Sequence, residues 1–326
     1  MNGFCMQKTD FPYLCIVMDD CSTDGEQEVI KNYVAKHFNL ITDEETDDYV
    51  LNFCQHKTND NCYFAVFYLK YNHYSIGKKS KKTIYYSKWQ DKCKYVALCE
   101  GDDYWIDEKK LQIQVDFLEK NEGYGMCYTK AKQYVQVDNM FLNKNCGRKI
   151  ESFEDFLKNG NGIPTLTTCF RKTIVQKYQE EIKPSTRDWL MGDSPMWLFF
   201  FHETKVFFFD SLSGVYRILE NSASHNEDID KALYFIKSSS KMRHFFANKY
   251  NIEFNGEEFY NRMAWRTCIG YLKKEYRDLY VARLRCIYKK ITKKTLSLKI
   301  YYVFSYNSFL WKILNLIIDL KHTCSK

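Results

Sequence analysis

The chain has 326 residues, enough for one large domain or two smaller ones with ample core. An apolar fraction of 45% and a charged fraction of 27% are those of an ordinary globular protein and exclude a disordered polyelectrolyte. The net charge of +7 is uneven: residues 283–299 carry many Lys and Arg and no acid, which suits either a solvated helix face or an anionic partner such as a membrane surface.

Thirteen cysteines are scattered with no C-x-x-C pair, so neither a zinc ribbon nor a dithiol redox motif is signalled. Cys15, Cys99 and Cys127 lie inside apolar runs and read as small core residues. The start, Met1-Asn2-Gly3-Phe4, lacks a basic region followed by an apolar stretch. No window reaches the ~18 uninterrupted apolar residues of a membrane span. A reducing, cytoplasmic location is expected.

In chain order, residues 14–18 form the first predicted strand. Thr23-Asp24-Gly25-Glu26 then has the spacing of a capping box opening a helix. Val29, Ile30, Tyr33, Val34 and Phe38 give that helix one apolar face. Residues 41–61, acidic and polar, are expected to run over the surface, and 63–69 to form a strand. A polar loop, Tyr71 to Lys79, and a helical stretch lead into a strand at 95–99. Leu111, Val115 and Leu118 mark another helix face. Residues 125–129, 165–170, 205–209 and 214–218 read as strands, and Ser152 to Gly160 as a capped helix. Strands alternating with helices predict α/β architecture over residues 1–225. Residues 226–326 are expected to be mainly helical.

Two acidic clusters follow predicted strands. Asp19, Asp20 and Asp24 lie in a strand-to-helix turn, where Asp serves turns and caps. Two consecutive carboxylates exceed what one cap needs, and a carboxylate there suits a nucleoside base or ribose. Glu100, Asp102 and Asp103 form the second cluster. Alternating acids of this kind place hard oxygen ligands on one divalent cation, Mn2+ or Mg2+, which binds substrate phosphates alongside them. The alternative is an acidic turn opening a helix. In Trp189-Leu190-Met191-Gly192-Asp193-Ser194-Pro195-Met196-Trp197-Leu198, one acid sits in an aromatic stretch, which suits a general base or a helix cap. Arg217 and His225 suit a phosphate or a surface ion pair equally. No G-x-G-x-x-G, Walker A, G-x-S-x-G or H-E-x-x-H pattern occurs.

Together these segments resemble family 2 glycosyltransferases of the GT-A fold, closest to bacterial enzymes of surface polysaccharide synthesis. The resemblance rests on Asp19-Asp20-Cys21-Ser22-Thr23-Asp24-Gly25, Asn72-His73-Tyr74-Ser75-Ile76-Gly77 and Glu100-Gly101-Asp102-Asp103-Tyr104-Trp105. It extends through Lys110-Leu111-Gln112, Gly192-Asp193-Ser194-Pro195 and Val215-Tyr216-Arg217, over roughly residues 7 to 225. It implies a Rossmann-like mixed sheet flanked by helices and an inverting transfer of sugar to a glycan or lipid-linked acceptor.

By position, Asp19, Asp20, Asn72, Gly77, Asp102 and Asp103 would contact the nucleotide-sugar donor. Glu100 and Asp102 would stand in the metal-binding D-x-D motif, with Glu replacing its first Asp, and Asp193 would be the catalytic base. Family members begin with a strand and a helix ahead of the position of Gln7, so the strand at 14–18 is expected to lack one sheet neighbour. An inactive truncated homologue serving as a nucleotide-sugar-binding or scaffold module, or a nucleotidyltransferase, are the alternatives. Peripheral contact with the inner face of a membrane, through residues 283–299 and the apolar stretch 309–318, is a further expectation; nucleic acid is not.

Overall fold

The structure, a computed structural model, describes residues 1–77, 81–160, 162–219, 228–292 and 294–324. Lys78, Lys79 and the Asn221 to His225 segment, singled out in the sequence, lie outside the described residues. Two units divide the chain: Met1–Ile150, Gly162–Thr186 and Phe200–Ile218 make the first; Glu151–Asn161, Arg187–Phe199 and Leu219–Lys326 make the second.

The first unit is mixed α/β. A short helix α1 (Asn2–Cys5) precedes β1 (Tyr13–Asp19), α2 (Glu26–His37), β2 (Phe38–Glu45), β3 (Tyr49–His56) and β4 (Cys62–Leu69). These strands form a sheet in the order β1-β4-β3-β2, with β1 parallel to β4 and the other pairs antiparallel. Among the described strands, β1 pairs with β4 alone. The sequence of β4 is apolar at almost every position because both of its faces are covered. Its side chains alternate. Cys62, Phe64 and Val66 pack with Ile30 and Val34 of α2. Ala65, Phe67 and Leu69 pack with Tyr85, Tyr86 and Trp89 of α3 (Lys81–Gln90).

A second sheet comprises β5 (Tyr95–Ala97), β6 (Tyr104–Trp105), β7 (Tyr124–Val135), β8 (Met140–Phe141), β9 (Cys169–Arg171) and β10 (Lys205–Ile218). The order is β5-β9-β7-β10-β6, and β8 pairs with β7. α4 (Lys110–Lys120) covers it through Leu118, which packs on Cys127 and Cys169.

Several expectations need correction. Residues 41–61 are not an irregular excursion but hold most of the β2–β3 hairpin. All of β2 after Phe38 is exposed, and polar residues suit an edge strand. β5 ends at Ala97, short of the 95–99 expected, and pairs antiparallel with β9. In the segment 165–170 only the end is strand. Thr165–Thr167 form a 3-10 turn, because the Thr167 hydroxyl donates to the Pro164 and Thr129 carbonyls at 2.8 and 3.0 Å. The strands expected at 205–209 and 214–218 are one strand, β10, with register shifts either side of Leu212. The N-cap of α2 is Gly25, at a φ of 91°, and not Thr23; ahead of it Asp24 Oδ1 accepts the Glu26 N–H at 3.1 Å.

The second unit is helical: α5 (Phe153–Asn159), the start of α7 (Asp193–Glu203), α8 (Ile229–Lys249), α9 (Gly256–Lys274), α10 (Asp278–Lys290), α11 (Leu296–Phe304) and α12 (Ser308–Cys324), while α6 (Lys172–Ile182), between α5 and α7 in the chain, belongs to the first unit. Ser152 caps α5 by accepting the Asp155 N–H at 3.1 Å, and Gly160 ends it at a φ of 93°. Trp265, Cys268, Leu272, Leu284 and Trp311 form the core of α9 to α12. Arg243, buried in α8, donates to the Phe156 and Leu157 carbonyls, the last turn of α5. Burial pushes its guanidinium down to about 10.

In the first unit, α1 is tied to β6 and α4. Phe4 packs edge-on to Trp105 at 4.8 Å. Gln7 donates to the Asp107 carbonyl at 2.7 Å and accepts the Leu111 N–H at 3.0 Å. Gly3 is where α1 approaches closest, since a Cβ there would stand 2.6 Å from the Trp105 carbonyl oxygen. Gly3→Ala should therefore push α1 off β6 and cost about 1–3 kcal/mol of stability, measured by urea unfolding.

Candidate functional site

The end of β1 shapes the first acid turn. Asp19 is buried, and its carboxylate accepts Gln27 Nε2 at 2.5 Å and the Ser22 N–H at 3.3 Å. Those bonds close a turn in which Cys21 has a φ of 59°, a left-handed conformation uncommon outside glycine. Asp19 therefore holds the turn.

Asp20 faces the loop after β4. Its two oxygens accept the backbone N–H groups of His73 at 2.8 Å and Tyr74 at 3.1 Å, and Lys82 Nζ lies 2.6 Å away. Burial alone would raise the Asp20 carboxyl; Lys82 and the two N–H groups outweigh it and hold the group below the usual carboxylate range. Asn72 and Gly77 belong to the same loop. Asn72 Oδ1 accepts the Ser75 N–H at 2.8 Å, and Gly77, at a φ of 72°, donates to the Tyr74 carbonyl at 3.3 Å. His73 is fully buried between the Tyr71 carbonyl, 3.0 Å from Nδ1, and the Tyr85 hydroxyl, 2.8 Å from Nε2, with its ring stacked on Tyr71. The structure thus brings Asp20, Asn72 and Gly77 together, with His73 and Lys82 as supports that the sequence motifs did not single out for a role.

The second acid turn lies between β5 and β6. The Glu100 carbonyl accepts the Asp103 N–H at 3.1 Å, which closes the turn, and the Glu100 side chain is exposed. Arg217 of β10 straps it: Arg217 N–H donates to Asp103 Oδ1 at 2.8 Å, and Arg217 Nε donates to the Asp102 carbonyl. Arg217, read in the sequence as suiting a phosphate or an ion pair, orders this turn. Burial first, and the neighbouring Asp102 charge after it, push the Asp103 carboxyl up to about 6 against the Arg217 N–H. Asp102 is half-buried, and its carboxylate meets no hydrogen-bond or ion-pair partner among the described residues. No three metal-ligating side chains converge among the described residues.

Beneath this turn, Trp105 Nε1 donates to the Leu166 carbonyl at 2.7 Å, and Lys110 Nζ stands 4.3 Å from the centre of the Trp105 ring. Lys110 is wholly buried and donates to Gln114 Oε1 at 2.8 Å. It shares the inward face of α4 with Gln114 and Leu118, a spacing of i, i+4 and i+8 that marks it in hindsight as a core residue.

Asp193, in the second unit, opens α7. Its Oδ1 accepts the Ser194 N–H at 2.6 Å and the Ser194 hydroxyl at 3.2 Å. The carboxylate thus serves the helix start and is half-buried.

No family model matches the chain. It is similar to an uncharacterized protein of Mycobacterium bovis and to two uncharacterized proteins of Mycobacterium tuberculosis. Each is 27% identical over 128 residues, which is 39% of this chain and 29% of the relative's length.

Burial pushes the Lys110 ammonium down from 10.5 to about 8. A lowered pKa on a base means that the folded state releases its proton before the unfolded chain does. Folding stability should therefore rise with pH between about 8 and 10.5 through this residue. Urea titrations at stepped pH should show wild type gaining on Lys110→Met across that window; a constant difference would place the proton elsewhere.

Proposed function

We propose that the chain is an inverting, GT-A-type glycosyltransferase that moves a sugar from a nucleotide-sugar donor to a hydroxyl of a glycan or lipid-linked acceptor. The observation that carries this reading is the Asp102 carboxylate, half-buried beside Asp103 and without a protein partner among the described residues. Adjacent carboxylates held in this way repel each other until a cation or a set of donors compensates them. A turn strapped by its backbone, with a side chain left over, is suited to a ligand.

The donor set fits Mn2+ or Mg2+, which take one or two carboxylates and fill their remaining positions with water and phosphate oxygens. Glu100 and Asp102 would hold such a cation, which would supply positive charge for the departing nucleoside diphosphate. Asp103 keeps the turn in register through Arg217. Asp19 and Asp20 shape the loop that would receive the nucleoside, with Asn72 and Gly77 setting its curvature. By the resemblance, Asp193 would be the base for the acceptor hydroxyl, whose oxygen attacks the anomeric carbon from the face opposite the leaving group. The bond to the diphosphate breaks as the new glycosidic bond forms, so the anomeric configuration inverts. The work would be cytoplasmic, where nucleotide sugars are the donors.

A second reading, a binding or scaffold module without transfer, is favoured by Asp20. Both its oxygens are engaged by His73, Tyr74 and Lys82, which leaves it less able to grip a nucleoside.

Donor hydrolysis and sugar transfer should each fall about 10²- to 10⁴-fold in Asp102→Asn and in Asp193→Asn, with unchanged circular dichroism. Unchanged rates in both variants would remove the transferase reading. Calorimetry with a nucleoside diphosphate and Mn2+ separates the two: tight, metal-dependent binding would count against the module, and absence of binding would favour it.

A further inference from the structure

α11 and α12 each carry apolar side chains on two opposite faces. Inward, Leu298 and Tyr301 of α11 and Trp311 and Leu314 of α12 belong to the second unit's core. Trp311 is anchored there by its indole N–H, which donates to the Leu272 carbonyl at 2.9 Å. Outward, Leu296 and Val303 of α11 are 74% and 58% exposed, with Ile300 between them. Phe309 and Leu316 of α12 are 69% and 63% exposed. At about 100° per residue, the spacings i, i+4, i+7 and i, i+7 gather each set into one stripe.

A scattered exposed leucine needs no account, but a stripe along two consecutive helices does. A helix that is apolar all round belongs where both sides meet apolar material. Charge narrows what that material is. Residues 279–318 contain no Asp or Glu, while Lys289, Lys290, Lys294, Lys299 and Lys312 are all exposed. The apolar patch of a protein partner would satisfy the stripes alone. An anionic lipid surface satisfies the stripes and the lysines together, since phosphates sit just outside the acyl boundary. No helix among the described residues is long and apolar enough to cross a bilayer, so the contact lies in the plane of the surface.

We propose that α11 and α12 form an interfacial anchor that lays the Leu296–Ile300–Val303 and Phe309–Leu316 stripes onto an anionic phospholipid surface, with the surrounding lysines against the headgroup phosphates. The anchor stands whether or not the transferase reading does, because none of its residues belongs to the acid turns.

The test is sedimentation of the full chain with vesicles of phosphatidylcholine, alone or mixed with phosphatidylglycerol. The chain should pellet with the mixed vesicles, and the partition should fall about tenfold or more as salt rises from about 0.05 M to about 0.5 M. The double variant Val303→Ser/Phe309→Ser should lower it about tenfold. Both side chains are exposed, so the circular dichroism spectrum should not change. Lys299→Gln/Lys312→Gln should weaken binding to the mixed vesicles and leave binding to the neutral ones as it was. Failure to pellet with either vesicle, or equal partition of wild type and the serine variant, would overturn the anchor. So would a dimer in analytical ultracentrifugation that the serine variant dissociates, which would put a second copy of the chain on this face.

Discussion

A carboxylate drawn into a packed turn has to be compensated, and the first unit meets that demand differently at four acids of its two acid turns. Asp19 is met by Gln27 and its own turn, and Asp20 by two backbone N–H groups and Lys82. Asp103 receives a single N–H from Arg217 and has its carboxyl pushed up to about 6. Asp102 receives nothing through its side chain among the described residues. This gradient separates acids whose carboxylates build loops from Asp102, whose carboxylate meets no partner among the described residues.

The same demand organises the scaffold around the turns. Arg217 reaches Asp102 and Asp103 only because β10 runs through its bulges alongside β7 and ends beside β6. Trp105 holds the far side of the turn through Leu166, and Lys110 lies under its ring. A buried ammonium against an aromatic face is costly to desolvate and is repaid in part by the ring and by Gln114. The acid turn therefore sits on a base joined by hydrogen bonds and ring packing.

Which elements were legible in the sequence follows from how one-sided their burial is. β4 was readable because both faces are covered, so its run is apolar throughout. β2 was not: Asn39 to Glu45 are all exposed, and its strand character comes from pairing with β3, which leaves no mark on hydrophobicity. The α5 cap was legible because Ser152 and Gly160 act on their own helix. The turn at Thr165–Thr167 was not, since it depends on Thr167 reaching Thr129, far along the chain. Lys110 was hidden by its own chemistry, because a lysine is read as solvent-facing unless the helix phase around it is already known.

By itself the chain's order of residues determined which acids follow strands, where the apolar runs lie and that the described residues from 228 onward are mainly helical, because each of these is set by neighbours close in sequence. Which acid is spent on a loop and which is left over was decided only by tertiary structure. Lys82, His73 and Arg217 are separated from their carboxylates by tens of residues or more, and only the packed sheets bring them within hydrogen-bond reach. The outward stripes on α11 and α12 belong to the same class: the apolar residues are plain in the sequence, but which face the core takes and which it leaves is fixed by Trp311 and its neighbours in the fold.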